Sequence, residues 1–255
     1  MSRLGKLTFA QKKCLGPAGL LMQRTGMIWP GARVGVAVSG GVDSWVLLQV
    51  LLLRQRIVPF PFEVMAIHLN PGFDATSHAP LAPWTAAHGV ALHAEVTDYG
   101  PMAHGPENRK NSPCFLCAWH RRKRLFELCK HYGLTHLALG HNADDLVQTF
   151  FMNLFRNGRV EGLSPKEEYF GGELVLIRPL LLLEKPTIRR AAAQWKLQVW
   201  SNPCPSATNS ERSRTEAWLR TVLSQDSAMH GSVYGALKRW QLDVLHRSQL
   251  GEHLQ

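Results

Sequence analysis

Nowhere in this 255-residue sequence do apolar residues run on for the roughly eighteen positions that a membrane-spanning helix needs; the stretch opening at Trp45 is broken by Arg54. The N-terminus also lacks the apolar core and cleavage site of a signal peptide, so the expectation is a soluble, cytoplasmic protein with no membrane partner. Cysteine is scarce as well. Cys14, Cys114, Cys117, Cys129 and Cys204 are too few and too unevenly spaced for a secreted disulfide framework, which leaves them as thiols or metal ligands. Acidic residues are outnumbered, 19 against 29 lysines and arginines. The resulting charge of +10, with a pI near 9.7, suits a polyanionic partner such as nucleic acid. Internal repeats and low-complexity tracts are absent, and the length fits one large α/β domain with small appendages.

The most informative stretch runs from Val34 to Leu53. Small and β-branched apolar residues up to Val38 make a buried parallel strand, and the run after Ser44 makes an apolar-faced helix. Between them lie Ser39, Gly40, Gly41, Val42, Asp43 and Ser44. Two glycines let the backbone bend tightly and bring its N–H groups against an anion, at which the following helix also points its positive end. Ser39 and Ser44 add hydroxyl donors, and Asp43 caps the helix or helps to hold the magnesium that accompanies a nucleotide. The Lys-Ser or Lys-Thr ending of a Walker loop is missing. The stretch resembles instead the PP-loop, Ser-Gly-Gly-x-Asp-Ser, of the ATP pyrophosphatases, which implies an adenine nucleotide alpha hydrolase-like fold and cleavage of ATP to AMP and pyrophosphate.

The remaining pattern alternates strands and helices, which predicts a doubly wound parallel sheet followed by C-terminal helices. Strands are expected at 62–69, 90–96, 136–139, 174–177 and 197–200, and helices at 79–88, 118–132, 146–155, 186–195, 211–223 and 233–250. Gly16-Pro17 should interrupt any single helix through the N-terminal basic segment, residues 1–27. Residues 28–205 form the nucleotide domain and 206–255 a helical segment. Residues 97–113 and 162–172 read as loops. Ligands in open α/β sheets sit at the carboxyl ends of strands. Ile67, His68 and Leu69 are therefore candidates for the nucleoside end, although His68 is equally readable as a satisfied strand-end histidine. The polar loop Gly140-His141-Asn142-Ala143-Asp144-Asp145 is a second nucleotide-binding candidate. Asp144 or Asp145 could hold metal, and Arg121 or Arg178 could stabilise charge developing at the α-phosphate.

Cys114 and Cys117 form a Cys-x-x-Cys pair, and Cys204 follows between two prolines on the same rim of the sheet. A metal centre and a redox dithiol both fit the pair. Three thiolates suit an iron–sulfur cluster with one open iron, whereas structural zinc usually takes a fourth protein ligand. Cys129 lies among Leu125, Phe126 and Leu128 and reads as core. These cysteines, the PP-loop, Arg121-Arg122, the Gly140 loop, Ile177-Arg178-Pro179-Leu180 and Asn202-Pro203-Cys204 come in the order of the tRNA 2-thiocytidine synthetase family, which the chain resembles from about Leu20 to Leu223. Close members carry lysine where this chain has Val42, and often a further cysteine where it has Ala207. The resemblance implies catalytic Asp43, Arg121, Asp144 and Arg178 and nucleotide contacts from Ser39 to Ser44, His68, Gly140 and His141. It also implies a [4Fe–4S] cluster on Cys114, Cys117 and Cys204, together with ATP and Mg2+. Expected partners are tRNA and a sulfur donor, either a cysteine desulfurase or sulfide; a homodimer is compatible with the sequence. A zinc-bearing PP-loop ligase or amidating enzyme, and a non-catalytic nucleotide- or RNA-binding protein of the same fold, are the alternatives.

Overall fold

The computed structural model describes residues 5–201, 203–207 and 210–251, with side chains to residue 240. Six strands form one sheet: β1 (Arg33–Ala37), β2 (Glu63–Asn70), β3 (Ala91–Val96), β4 (His136–Ala138), β5 (Lys166–Tyr169) and β6 (Leu174–Ile177). Their spatial order is β3-β2-β1-β4-β6-β5, and every pairing is parallel except that of β5 with β6. The chain leaves β1 toward β2 and later returns to its other side as β4. The crevice between the carboxyl ends of β1 and β4 is thus the switch point at which doubly wound sheets bind ligands.

The helices are α1 (Phe9–Arg24), α2 (Val42–Gln55), α3 (Leu81–Ala87), α4 (Tyr99–His104), α5 (Pro113–His131), α6 (Ala143–Met152), α7 (Lys185–Gln194), α8 (Glu211–Leu223) and α9 (Ser227–Gly251). Central α2 is apolar on nearly every side, and Trp45, Leu47, Leu48 and Leu51 are fully buried. Each such side chain contributes about 1.5–3 kcal/mol by leaving water. Buried to this degree, α2 holds the loop before it on rigid support.

Five expectations need correction. Helix α1 runs straight through Gly16-Pro17. Pro17 forfeits one backbone bond, but a Thr8–Gln11 capping box starts the helix, and Cys14, Ala18, Leu21 and Met22 are buried in the core. Residues 197–200 form no strand; the Trp200 N–H instead donates to the Gly40 carbonyl at 3.0 Å. The loop expected at 162–172 contains β5, whose Lys-Glu-Glu-Tyr sequence has the charged character of an edge strand and no apolar alternation to reveal it. The loop expected at 97–113 contains α4. Helix α5 then begins earlier than expected, because Ser112 caps it by accepting the Phe115 N–H, and Pro113 suits its first turn. Cys114 and Cys117 therefore sit inside the first turns of a helix. Asn202, quoted above with Pro203 and Cys204, lies outside the described residues.

Candidate active site

The PP-loop is closed by its own hydrogen bonds. The Ser44 hydroxyl donates to the Gly41 carbonyl at 2.8 Å and accepts the Ser39 N–H at 3.1 Å. Gly40 has φ +94, in the left-handed region, and a Cβ there would lie 2.3 Å from the Trp200 indole. Gly41, at the N-cap of α2, has φ −66, and an added Cβ would meet only Ser39 Oγ at 3.6 Å. Glycine thus serves the fold at position 40 and leaves open space at position 41. Val42 turns its side chain to the core and offers the site its backbone alone.

The loop after β4 meets the loop after β1. A Cβ on Gly140 would stand 3.0 Å from the Ser44 nitrogen, so glycine lets the two loops touch. Asn142 caps α6 and also donates to Asp43 Oδ1 at 3.0 Å. Between the loops and α5 opens a cavity of about 530 Å3. Ala37, Ile67, Leu69, Leu137, Leu139 and Leu176 give it an apolar wall along the strand ends; Ser39, Asp43, Ser44, His141 and Asp145 give it a polar end; and Arg121, Arg122, Lys185 and Arg212 supply cations. An apolar slot ending in anion donors and cations is the chemistry of a nucleoside polyphosphate. Burial, and then the neighbouring charge of Asp145, push the Asp43 carboxyl above its ordinary range.

His68, Asp144 and Arg178 stand outside this cavity. Side chains alternate along β2, so Ile67 and Leu69 face the cavity while His68 is fully buried on the other face, beside Trp200. Its Nδ1 donates to the Val38 carbonyl at 2.7 Å, and burial lowers its pKa to about 4. The strand-end reading describes it. Asp144 is turned roughly 100° from Asp145 on α6, and its carboxylate accepts the Lys185 N–H at 2.8 Å and the Tyr234 hydroxyl at 3.1 Å. It ties α6 to α7 and α9. Asp145 is the carboxylate that faces the cavity, ion-paired with Arg212.

Arg178 is buried, paired with Glu167 at 2.6 Å, and donates from Nε to His141 Nδ1 at 3.2 Å. An Nδ1 that accepts leaves the proton on Nε2, so the neutral imidazole at the cavity wall is held as a donor. Burial, then the Arg178 charge, lower the His141 pKa to about 4. Arg178→Gln should therefore raise that pKa, though not fully to the ordinary value, because burial persists. An imidazole proton resonance followed through a pH titration measures this, and an unmoved midpoint would remove the positioning role. Glu167 on edge strand β5 belongs to the same chain of contacts. Lys185 and Arg212, like Glu167, carried no recognisable spacing in the sequence, because helix packing alone brings them to the site.

Cys114 is exposed and Cys117 and Cys204 are half-buried, whereas Cys14 and Cys129 are buried. Burial, and then the charges of Cys204 and Cys114, raise the Cys117 pKa, so Cys117 lies within electrostatic reach of both. The Arg121 charge acts in the opposite direction on the same thiol. Two contacts position the Cys204 turn: Trp200 holds it to Gly40, and the Ser206 hydroxyl meets His104 Nε2 of α4 at 2.8 Å. Among the described residues no three His, Cys, Asp or Glu side chains are grouped as a single metal ion requires.

A profile of the PP-loop domain family matches residues 21–226. The chain is 31% identical over 239 residues to the tRNA-cytidine(32) 2-sulfurtransferase of Geobacter sulfurreducens, covering 91% of this chain and 93% of that protein. It is 32% identical over 213 residues to the protein of the same name from Syntrophotalea carbinolica, with 83% and 82% covered. Among solved structures, the fold is similar to that of the U34-tRNA thiolase NcsA from Methanococcus maripaludis with its [4Fe–4S] cluster. That match has a TM-score of 0.71 at 20% identity over 90% of this chain and 80% of that one. No helix among the described residues is long and apolar enough to cross a membrane.

Proposed function

The chain belongs to the PP-loop family whose relatives are tRNA-cytidine(32) 2-sulfurtransferases, and we propose that it thiolates a cytidine of tRNA in the cytoplasm at the expense of ATP. The observation that carries this reading is the place of Arg121. It lines the nucleotide cavity, its charge acts on Cys117, and its buried Nε has no protein partner among the described residues. Nucleotide and sulfur chemistry thus meet across one side chain.

In the proposed reaction the C2 carbonyl oxygen of the base attacks the α-phosphorus of ATP, the bond to the bridging oxygen breaks, and pyrophosphate leaves. A sulfur nucleophile then adds at C2, and AMP departs with the original oxygen. The apolar strand ends would hold adenosine, and the backbone from Ser39 to Ser44 would hold the pyrophosphate oxygens. His141 would donate from Nε2. Arg121, Arg122 and Lys185 would neutralise charge accumulating around the α-phosphate, and Arg212 would orient Asp145 through their ion pair. Asp43 and Asp145 would hold Mg2+; burial, and then the neighbouring charge of Asp145, raise the Asp43 pKa, and a divalent cation would compensate for both.

Cys114, Cys117 and Cys204 would hold the [4Fe–4S] cluster. The chemistry of the donor set fits, because Cys114 is exposed, Cys117 and Cys204 are half-buried, and three thiolates leave one iron of such a cluster without a protein ligand, whereas structural zinc usually takes a fourth. The cluster would supply an iron without a protein ligand at which sulfur could be held for transfer, and that sulfur would come from sulfide in solution or from the persulfide of a cysteine desulfurase, the latter with two electrons from an added thiol. The test is anaerobic incubation of the full chain with ATP, Mg2+, sulfide and unmodified tRNA. AMP and pyrophosphate should form together with 2-thiocytidine, read by nucleoside mass spectrometry. ADP as product, or stoichiometric zinc with amine incorporated in place of sulfur, would replace this reading with a ligase.

A further inference from the structure

We propose that Phe115 and Trp119, on the face of α5 beside the cavity, form a stacking platform for unpaired bases of the RNA substrate. This rests on the reading of the chain as an RNA-modifying enzyme and adds where, and by what contact, the RNA is held. The two rings are four residues apart and so neighbour each other along the helix. Phe115 is 58% exposed and Trp119 50% exposed. Arg122 continues the same side of α5 and lines the cavity, so the platform borders the nucleotide site directly. Further along that side, Phe126 meets the exposed Phe170 at 5.6 Å between ring centroids.

Charge identifies the occupant. Lys123 Nζ lies 5.8 Å from the Trp119 ring centroid. Among the described residues no carboxylate forms an ion pair with Arg121, Arg122 or Lys123, whereas Arg124 is held by Glu95 at 2.8 Å. Three cations without an ion pair, one over an exposed ring and two in the adjoining cavity, match a nucleic-acid strand, whose phosphates need the charge and whose bases need the π faces. A second exposed aromatic patch, Phe155 with Trp218, differs in this respect, because Glu211 pairs with both of its arginines, Arg156 and Arg214. A base that must reach a cavity has to leave its stack, and its neighbours then lose their own stacking. The Phe115–Trp119 surface replaces it.

The experiment compares binding of a labelled RNA hairpin with an unpaired loop and a blunt RNA duplex by fluorescence anisotropy, using the full chain. Phe115→Ala combined with Trp119→Ala should weaken hairpin binding about tenfold or more and leave duplex binding unchanged, while Trp119→Phe, which keeps a ring, should stay near wild type. Lys123→Ala should weaken both probes alike and lower the salt slope by about one. Equal loss on both probes, or none on the hairpin, overturns the proposal. So does sedimentation showing a wild-type dimer that the double variant dissociates, which would make the rings an interface between copies. Loop-selective binding without any 2-thiocytidine would defeat the thiolation reading and leave the platform standing.

Discussion

Gly40→Ala and Gly41→Ala, neighbours in sequence, are expected to fail at different levels. At Gly40, φ +94 costs a side-chain-bearing residue about 1–2 kcal/mol, and a Cβ 2.3 Å from the Trp200 indole adds about 1–3 kcal/mol of overpacking. Together these are a large part of a stability of about 5–15 kcal/mol. The melting temperature should fall on the order of ten degrees, and Trp200→Ala in the same chain should recover only the part due to the clash. At Gly41 the backbone is already in a region open to alanine, and the Cβ would meet only Ser39 Oγ at 3.6 Å. The loss of an N-cap glycine, about 0.5–1 kcal/mol, is offset by the entropy removed from the unfolded chain, about 0.4–1 kcal/mol. Gly41→Ala should therefore melt with the wild type and yet bind ATP at least about tenfold more weakly, a loss of about 1.4 kcal/mol, because the methyl group stands where phosphate must approach. Unchanged ATP affinity in folded Gly41→Ala would mean that the anion lies elsewhere, and unchanged melting in Gly40→Ala would remove the Trp200 contact from the account.

Arg178 acts one contact further out, and this marks what the sequence could and could not reveal. Strand, glycine turn and apolar helix are local patterns, so the PP-loop and the parallel sheet were legible from residues 34–53 and from the alternation that follows. The Cys-x-x-Cys pair was legible for the same reason. Which aspartate of Asp144-Asp145 faces the cavity was not, because the capping interaction of Asn142 sets the start and the rotation of α6. Nor could spacing find Lys185 and Arg212, which reach the cavity only because α7 packs against α2 and α8 against α6. The block from Arg121 to Arg124 illustrates the limit further. Its composition announced an anion, but the structure divides its four cations into two in the cavity, one beside an exposed indole, and one neutralised by Glu95. Helix α4 went unseen because Tyr99–His104 is short and broken by glycine and proline, although it is the element that steadies the Cys204 turn through His104 and Ser206.

The cysteines divide into two chemical classes, and the second large effect follows from that division. Serine at Cys114, Cys117 or Cys204 is expected to abolish 2-thiocytidine formation and iron retention in protein purified without oxygen, while ATP binding stays within about twofold, because the anion site is made of backbone and a helix end. Cys14→Ala and Cys129→Ala should keep both activities. Burial pushes the Cys14 thiol up to about 11 and the Cys129 thiol up to about 12, so both are protonated at neutral pH and unsuited to bind metal. The first three are reachable, and Cys117 has a further property. Burial, and then the neighbouring Cys204 and Cys114, raise its pKa against the opposing charge of Arg121, so in the iron-free protein its reaction with iodoacetamide should be slow at pH 7 and should quicken as the pH rises. Cys114→Ser should then lower the Cys117 pKa by removing one like charge, and Arg121→Gln should raise it by removing the opposing one. Peptide mass spectrometry of alkylated protein across a pH series reads these shifts without any cluster present. A Cys117 rate that ignores both substitutions would separate the three thiols electrostatically, and with them the proposal that one cluster spans them beside the nucleotide.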